Sequence, residues 1–142
     1  MSGLVCAWLF ALSGACSGEL AEAVADGVEK ADPLWPDDPS KVKTAALVVA
    51  VAWRESAFDQ KAHSPTDDWC VLQIHGRKDL ADDLSGCVRV GIEALRWSLR
   101  TCAAHPVAPY IAGAMGCKSE RAQRMSNDRM RLAAMLVRGG AK

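Results

Sequence analysis

The sequence predicts a mainly α domain of four to six helices with at most a short β-hairpin. The chain has 142 residues, half of them hydrophobic and 24% charged, which is enough for one domain with a real core. Apolar residues recur at helical spacing in several long segments, and proline-containing connectors interrupt this pattern at two places. Only residues 58–85 lack a sustained period, so we expect a loop there, with a short hairpin at most.

The first sixteen residues admit two interpretations. Leu4–Leu12 is an apolar run, and the small residues 13–15 offer a cleavage site, which together are typical of a signal peptide. No Lys or Arg precedes the run, so such a signal would be degenerate, and the alternative is a buried first helix. The run is too short to span a bilayer. We favour export by a degenerate signal, with residues 17–142 as the folded domain.

Four further segments carry helical patterns, at residues 17–31, 40–57, 86–103 and 119–137. The second of them is unusual because Ala45–Trp53 contains no charged residue and has no polar face. A helix that is apolar all round is buried on every side. We expect Ser40 to be its N-cap. Glu55 follows the apolar stretch directly, so this helix delivers a carboxylate to the edge of the core.

Charge alone nominates no partner, since 17 Lys and Arg balance 17 Asp and Glu. Residues 118–142 are strongly basic, which indicates either a solvated helix face or attraction to an anionic polymer such as the cell wall. No aromatic residue interleaves with these bases, which argues against nucleic acid as a partner.

Six cysteines are many for a cytosolic chain of this length, and none has the CxxC spacing of a metal site. If Cys6 lies in a signal peptide and Cys16 at its edge, four remain in the domain. An even set is consistent with two disulfides and an oxidising compartment. The four are Cys70, Cys87, Cys102 and Cys117.

Helix geometry limits how these four cysteines can pair. Cys87 and Cys102 lie on one predicted helix, about 22 Å apart at ~1.5 Å per residue. A disulfide needs Cα atoms within about 7 Å, so this pair is excluded, and with it Cys70–Cys117. Two connectivities stay open: Cys70–Cys87 with Cys102–Cys117, or Cys70–Cys102 with Cys87–Cys117.

The segment Trp53–Ile74 carries the most informative motif. Glu55-Ser56 ends the apolar helix, the aromatic Phe58 follows, Ser64 lies in mid-loop, and residues 71–74 (Val-Leu-Gln-Ile) are predicted to form a strand. This pattern resembles the signature of the lytic transglycosylase and goose-type lysozyme superfamily. Farther along, residues 108–113 are similar to the family's Ala-Tyr-Asn-Ala-Gly segment, with Tyr110 as the tyrosine.

The resemblance implies a lysozyme-like fold and cleavage of the β-1,4 bond between N-acetylmuramic acid and N-acetylglucosamine in peptidoglycan. Glu55 would act first as acid and then as base, leaving a 1,6-anhydro sugar. The substrate would contact Ser64, Gln73, Ile74 and Tyr110. The family needs no metal or organic cofactor, and we expect a monomer, exported to the periplasm or medium or associated with a phage.

Physical chemistry supports Glu55 in this role. A carboxyl at the end of an apolar helix loses hydration when it ionises, so its pKa rises and it keeps a proton near neutral pH. Simpler interpretations exist: Glu55 paired with Arg54, Gln73 tying loop backbone, and Tyr110 filling the core.

The sequence also departs from the family pattern. Cys70-Val71 replaces a glycine, Ile111 replaces the asparagine after the tyrosine, and residues 67–69 (Asp-Asp-Trp) replace a Gly-Ala step. The nearest alternative is therefore a hydrolytic muramidase in which Asp67 or Asp68 activates water. An alternative of another class is a non-catalytic wall-binding or virion scaffold protein.

Overall fold

In the computed structural model, which describes residues 1–140, the chain is mainly helical with one two-stranded antiparallel hairpin. This confirms the predicted fold class. The elements are α1 (Ser2–Ser13), α2 (Gly18–Lys30), α3 (Val42–Ser56), β1 (Asp68–Trp69), β2 (Ile74–His75), α4 (Leu84–Thr101), α5 (Ala108–Ala112) and α6 (Glu120–Gly140), with 3-10 helices at Lys78–Asp82 and Ala114–Lys118.

Helix α3 is the centre of the fold. Every residue from Thr44 to Ala52 is buried, and α1, α2, α4 and α6 all pack against the helix. The hydroxyl of Thr44 accepts a hydrogen bond from the Leu34 amide at 2.9 Å, so the one polar side chain in this stretch is satisfied. The absence of a polar face in the sequence thus corresponds to burial on all sides.

The predicted N-cap of α3 was wrong. The helix begins at Val42, and the residue at its N-cap, Lys41, provides no side-chain hydrogen bond. Asp38 supplies the shorter acceptor contact, since its Oδ2 receives the Lys43 amide at 2.8 Å, while Ser40 Oγ accepts the Val42 amide at 3.4 Å. Ser40 donates to the other oxygen of Asp38 at 2.6 Å, so its hydroxyl supports the capping carboxylate.

The predicted strand over residues 71–74 was also wrong, because only Ile74 lies in a strand. Residues 70–73 form the turn between β1 and β2, in which Cys70 and Gln73 have φ of 66° and 53°. Such left-handed conformations are incompatible with extended backbone. The turn lies against α4, where Leu72 packs so closely on Gly91 that a side chain at that glycine would collide with it.

The N-terminal segment forms a helix in the core of the described structure. Val5, Trp8 and Leu9 of α1 are buried, and the Trp8 indole donates to the Leu136 carbonyl of α6 at 3.0 Å. Whether residues 1–16 are removed from the mature protein stays a prediction. Within residues 1–140, no helix is both long and apolar enough to cross a bilayer.

Three disulfides cross-link the described part of the chain. Cys70–Cys87 and Cys102–Cys117 form one of the two connectivities that the sequence left open. The third, Cys6–Cys16, was not expected. It forms because Gly14, at φ 81°, ends α1 and turns the chain back, which brings the two Cα atoms within 5.2 Å. Three disulfides indicate an oxidising compartment.

Candidate functional site

A single cleft of about 740 Å³ is lined by all five residues that the sequence nominated. Glu55 enters it from the end of α3, and Tyr110 from α5. Ser64 and Gln73 come from the loop and turn around the hairpin, and Ile74 comes from β2. The volume is within the range of small-ligand sites, about 300–1,000 Å³. The structure brings these residues together, and their individual roles stay predictions.

The carboxyl of Glu55 is mostly buried, with 21% of its side chain exposed. Burial raises its pKa above the ordinary value. The positive charge of Arg129 opposes this shift, and the negative charge of Asp68 adds to it. The net effect favours the protonated form, as a general acid requires.

Arg129 is the residue of this site that the sequence analysis missed. It lies on α6, 8% of its side chain is exposed, and its Nη2 is 3.6 Å from Oε1 of Glu55. Its Nε is buried without a hydrogen-bond partner among the described residues. A signal was present, because Arg129 shares a helical face with Ala122, Ser126 and Ala133, all small and buried.

The simpler pairing of Glu55 with Arg54 does not occur. Arg54 instead binds Asp128 of α6, with Nε–Oδ2 at 2.9 Å and Nη2–Oδ1 at 3.3 Å. Asp128 also lies 3.4 Å from Nη1 of Arg129. This chain of alternating charges connects the C-terminal end of α3 to the middle of α6, and it leaves Arg129 as the cation facing Glu55.

A second carboxylate, Asp68 of β1, lines the same cleft. Burial opposes its ionisation, but three hydrogen bonds outweigh this effect and hold the pKa of Asp68 below its ordinary value. They come from Ser64 Oγ at 2.6 Å, Thr66 Oγ1 at 2.7 Å and His75 Nδ1 at 3.1 Å. Asp68 is therefore the carboxyl that stays ionised.

Asp67, the neighbouring candidate, does not line the cleft. Its backbone is left-handed, with φ at 65°, and its carboxylate accepts a hydrogen bond from the indole of Trp69. Trp69 itself is stacked on His63, with Lys78 over its ring. Of the two acids that the sequence could not separate, only Asp68 lines the cleft.

Gln73 and Ser56 fasten the turn to the rest of the site. The amide nitrogen of Gln73 donates to the carbonyls of Ala62 and Cys70 at 2.9 and 2.8 Å, so it ties loop backbone. Ser56 donates to the Val71 carbonyl at 2.7 Å and joins the end of α3 to the same turn. In this chain the serine of the Glu-Ser pair therefore positions the turn beside Glu55.

Tyr110 completes the cleft beneath the turn. Its hydroxyl donates to the Leu72 carbonyl, and its backbone amide donates to Ser98 Oγ of α4 at 2.9 Å. Burial first, and then the negative charges of Glu55 and Asp68, raise the pKa of Tyr110 well above its ordinary value. The phenol stays neutral and serves as a donor.

Backbone strain is concentrated in this region. Six residues other than glycine have positive φ among the described residues, and five of them lie between positions 57 and 73. Each such conformation costs on the order of 1–3 kcal/mol and persists only where the surroundings impose it. Strained positions of this kind cluster at functional sites. The five are Ala57, Phe58, Asp67, Cys70 and Gln73.

Comparisons with family models, with curated proteins and with solved structures find no match for this chain. The resemblance to the lytic transglycosylase and goose-type lysozyme superfamily therefore stays a prediction from the motif residues.

Proposed function

We propose that this protein cleaves the glycan strands of peptidoglycan, with Glu55 as the general acid. The observation that carries the proposal is one cleft with two carboxyls whose surroundings move their pKa values apart. A glycosidic oxygen leaves poorly until it is protonated, and a buried Glu55 holds the proton it needs. The motif resemblance supports the β-1,4 bond between N-acetylmuramic acid and N-acetylglucosamine as the bond that is cut.

Asp68 favours hydrolysis over the 1,6-anhydro product that the motif implies. An ionised carboxylate in the cleft stabilises the positive charge that develops on the sugar as the bond breaks. It also offers a base for water or a nucleophile for the sugar carbon. The loop that carries Asp68 is the one that departs from the family pattern, since residues 67–69 replace the Gly-Ala step.

The lytic transglycosylase reaction is the second candidate, and one observation favours it. Both oxygens of Asp68 already accept hydrogen bonds, from His75 on one and from Ser64 and Thr66 on the other. This leaves less capacity to hold a water. In that case the substrate's N-acetyl group would stabilise the charge, and Glu55 would deprotonate the sugar's own 6-hydroxyl.

A wall substrate lies outside the cytoplasm, which agrees with the oxidising environment that three disulfides indicate. We propose export to the periplasm or medium, or release with a phage. The competing class, a non-catalytic wall-binding or virion scaffold protein, would use the same cleft for binding without cleavage.

The test is loss of turbidity of a cell-wall suspension with the wild type, Glu55→Gln and, as matched control, Glu22→Gln on the exposed side of α2. Glu55→Gln keeps the size of the side chain and loses the proton, so we expect a loss of about 10²–10⁴-fold or more. Glu22→Gln should match the wild type, and both variants should keep its circular dichroism. A fully active Glu55→Gln would refute the proposal, and an inert wild type would favour the scaffold.

A further inference from the structure

The cleft carries an aromatic side chain on α4 that is exposed to water and does not contribute to the hydrophobic core. Trp97 of α4 lines the cleft and is 46% exposed, one of the few large hydrophobic side chains left in water among the described residues. Met125 of α6, half-buried, lines the same cleft. Exposed apolar surface within a cleft is typical of a binding site. An indole offers a flat face to the apolar side of a sugar ring.

A cation of α6 lines the same cleft. Arg121, in the first turn of α6, is exposed, and it is the one Lys or Arg among the described residues that line the cleft. Within residues 1–140 it makes no ion pair and no side-chain hydrogen bond. The neighbouring Glu120 is adjacent in sequence, and adjacent side chains on a helix do not face each other. The guanidinium is therefore free to bind an anionic group.

We propose that Trp97 and Arg121 form a subsite for a sugar that carries a carboxylate, so that the cleft selects acidic peptidoglycan strands over uncharged glycans. The inference rests on the proposed function. Trp97 packs on the sugar ring, and Arg121 pairs with the substrate's lactyl or peptide carboxylate, for which the planar guanidinium is well suited. The catalytic carboxyls then need not supply selectivity for the charge.

The chemistry of the substrate provides the test. Soluble peptidoglycan fragments are compared with the same fragments after their carboxylates have been converted to neutral amides. The enzymes are the wild type, Arg121→Ala and Arg124→Ala, which removes an exposed arginine of α6 that does not line the cleft. A charge-assisted pair contributes about 1.5–3 kcal/mol, which corresponds to roughly 10- to 100-fold in kcat/KM.

Wild type and Arg124→Ala should lose this factor when the substrate is amidated. Arg121→Ala should cleave both substrates at the same low rate. Trp97→Ala should weaken cleavage of both substrates while the sensitivity to amidation remains. A wild type indifferent to amidation, or an Arg121→Ala variant as sensitive as the wild type, would overturn the subsite. In parallel, an active Glu55→Gln would overturn the proposed function itself, so the two failures are distinguishable.

Discussion

Two regions of this molecule shift the pKa of a carboxyl group in opposite directions. Helix α3 is apolar from Ala45 to Ala52 and carries Glu55 in its last turn, where burial of the carboxyl raises the pKa of Glu55. The hairpin region, residues 57–77, is polar and directs three hydrogen bonds to Asp68, so the pKa of Asp68 falls. In the proposed mechanism, these surroundings set the role of each acid: Glu55 gives a proton and Asp68 carries a charge.

Within this comparison, the largest expected effect is a loss of wall lysis that distinguishes Asp68 from its neighbour Asp67. Asp68→Asn removes the anion from the cleft while keeping its size, and we expect wall lysis to fall by about 10²-fold or more. Asp67→Asn is the matched control, because Asp67 lies outside the cleft, and it should stay within a few-fold of the wild type. Equal activity of the two variants would mean that Glu55 works without a second carboxylate.

The next effect concerns how the hairpin region is held. Replacing Cys70 and Cys87 with serine opens a loop of 17 residues, and the free energy of unfolding should fall by about 3 kcal/mol. The matched pair, Cys102 and Cys117, closes a comparable loop of 15 residues. Its replacement with serine should lower the free energy of unfolding by a similar amount, as measured by thermal unfolding.

Activity should distinguish these two disulfides. Cys70 begins the turn beside Glu55, so its loss should also reduce wall lysis at temperatures where the variant is still folded. Loss of Cys102–Cys117 should leave activity nearly intact under the same conditions. Equal losses of activity would show that the turn is positioned by its hydrogen bonds alone.

A smaller effect concerns Arg129, whose charge opposes the rise in the pKa of Glu55. In the proposed mechanism, activity falls as pH rises through the pKa of Glu55, because the general acid must hold its proton. The charge of Arg129 lowers that pKa. Arg129→Met should therefore raise the pKa and move the alkaline limb of the pH–rate profile to higher pH. The acid limb, set by Asp68, should stay in place. Arg129→Lys keeps the charge and should keep the limb near its original position.

Arg131→Met, on the exposed side of α6, is the control for Arg129→Met. Thermal unfolding of each variant checks that the fold survives the change. An alkaline limb that stays fixed, or that moves to lower pH in Arg129→Met, would mean that Arg129 does not act on Glu55.

The same two regions differ in how much of them the sequence could predict. Helix α3 was predictable because a helix that is buried on all sides has an uninterrupted apolar sequence. Glu55 lies just after that apolar stretch. The motif residues Ser64, Gln73, Ile74 and Tyr110 were placed in one cleft by analogy, and the structure brings them together. The conformation that joins them was not predictable.

The hairpin region owes its shape to contacts that have no local pattern. Five of its six left-handed residues are not glycines, so their residue types did not indicate this conformation. The turn is fixed by a disulfide to α4, by Gln60, which binds the Val71 amide and the Leu80 carbonyl, and by Ser56. Arg129 comes from a segment 74 residues after Glu55 whose bases suggested a solvated face. The small residues on its helical face indicate that Arg129 is buried, but only long-range packing decides that it faces Glu55.

The fate of the cleaved bond tests the two-carboxylate account most directly. Peptidoglycan is digested with the wild type in ¹⁸O-water, and the released fragments are analysed by mass spectrometry. Hydrolysis assisted by Asp68 predicts reducing ends that each carry one ¹⁸O, and Asp68→Asn should release almost none. Unlabelled 1,6-anhydro ends, formed equally well by Asp68→Asn, would contradict the account and assign the whole reaction to Glu55.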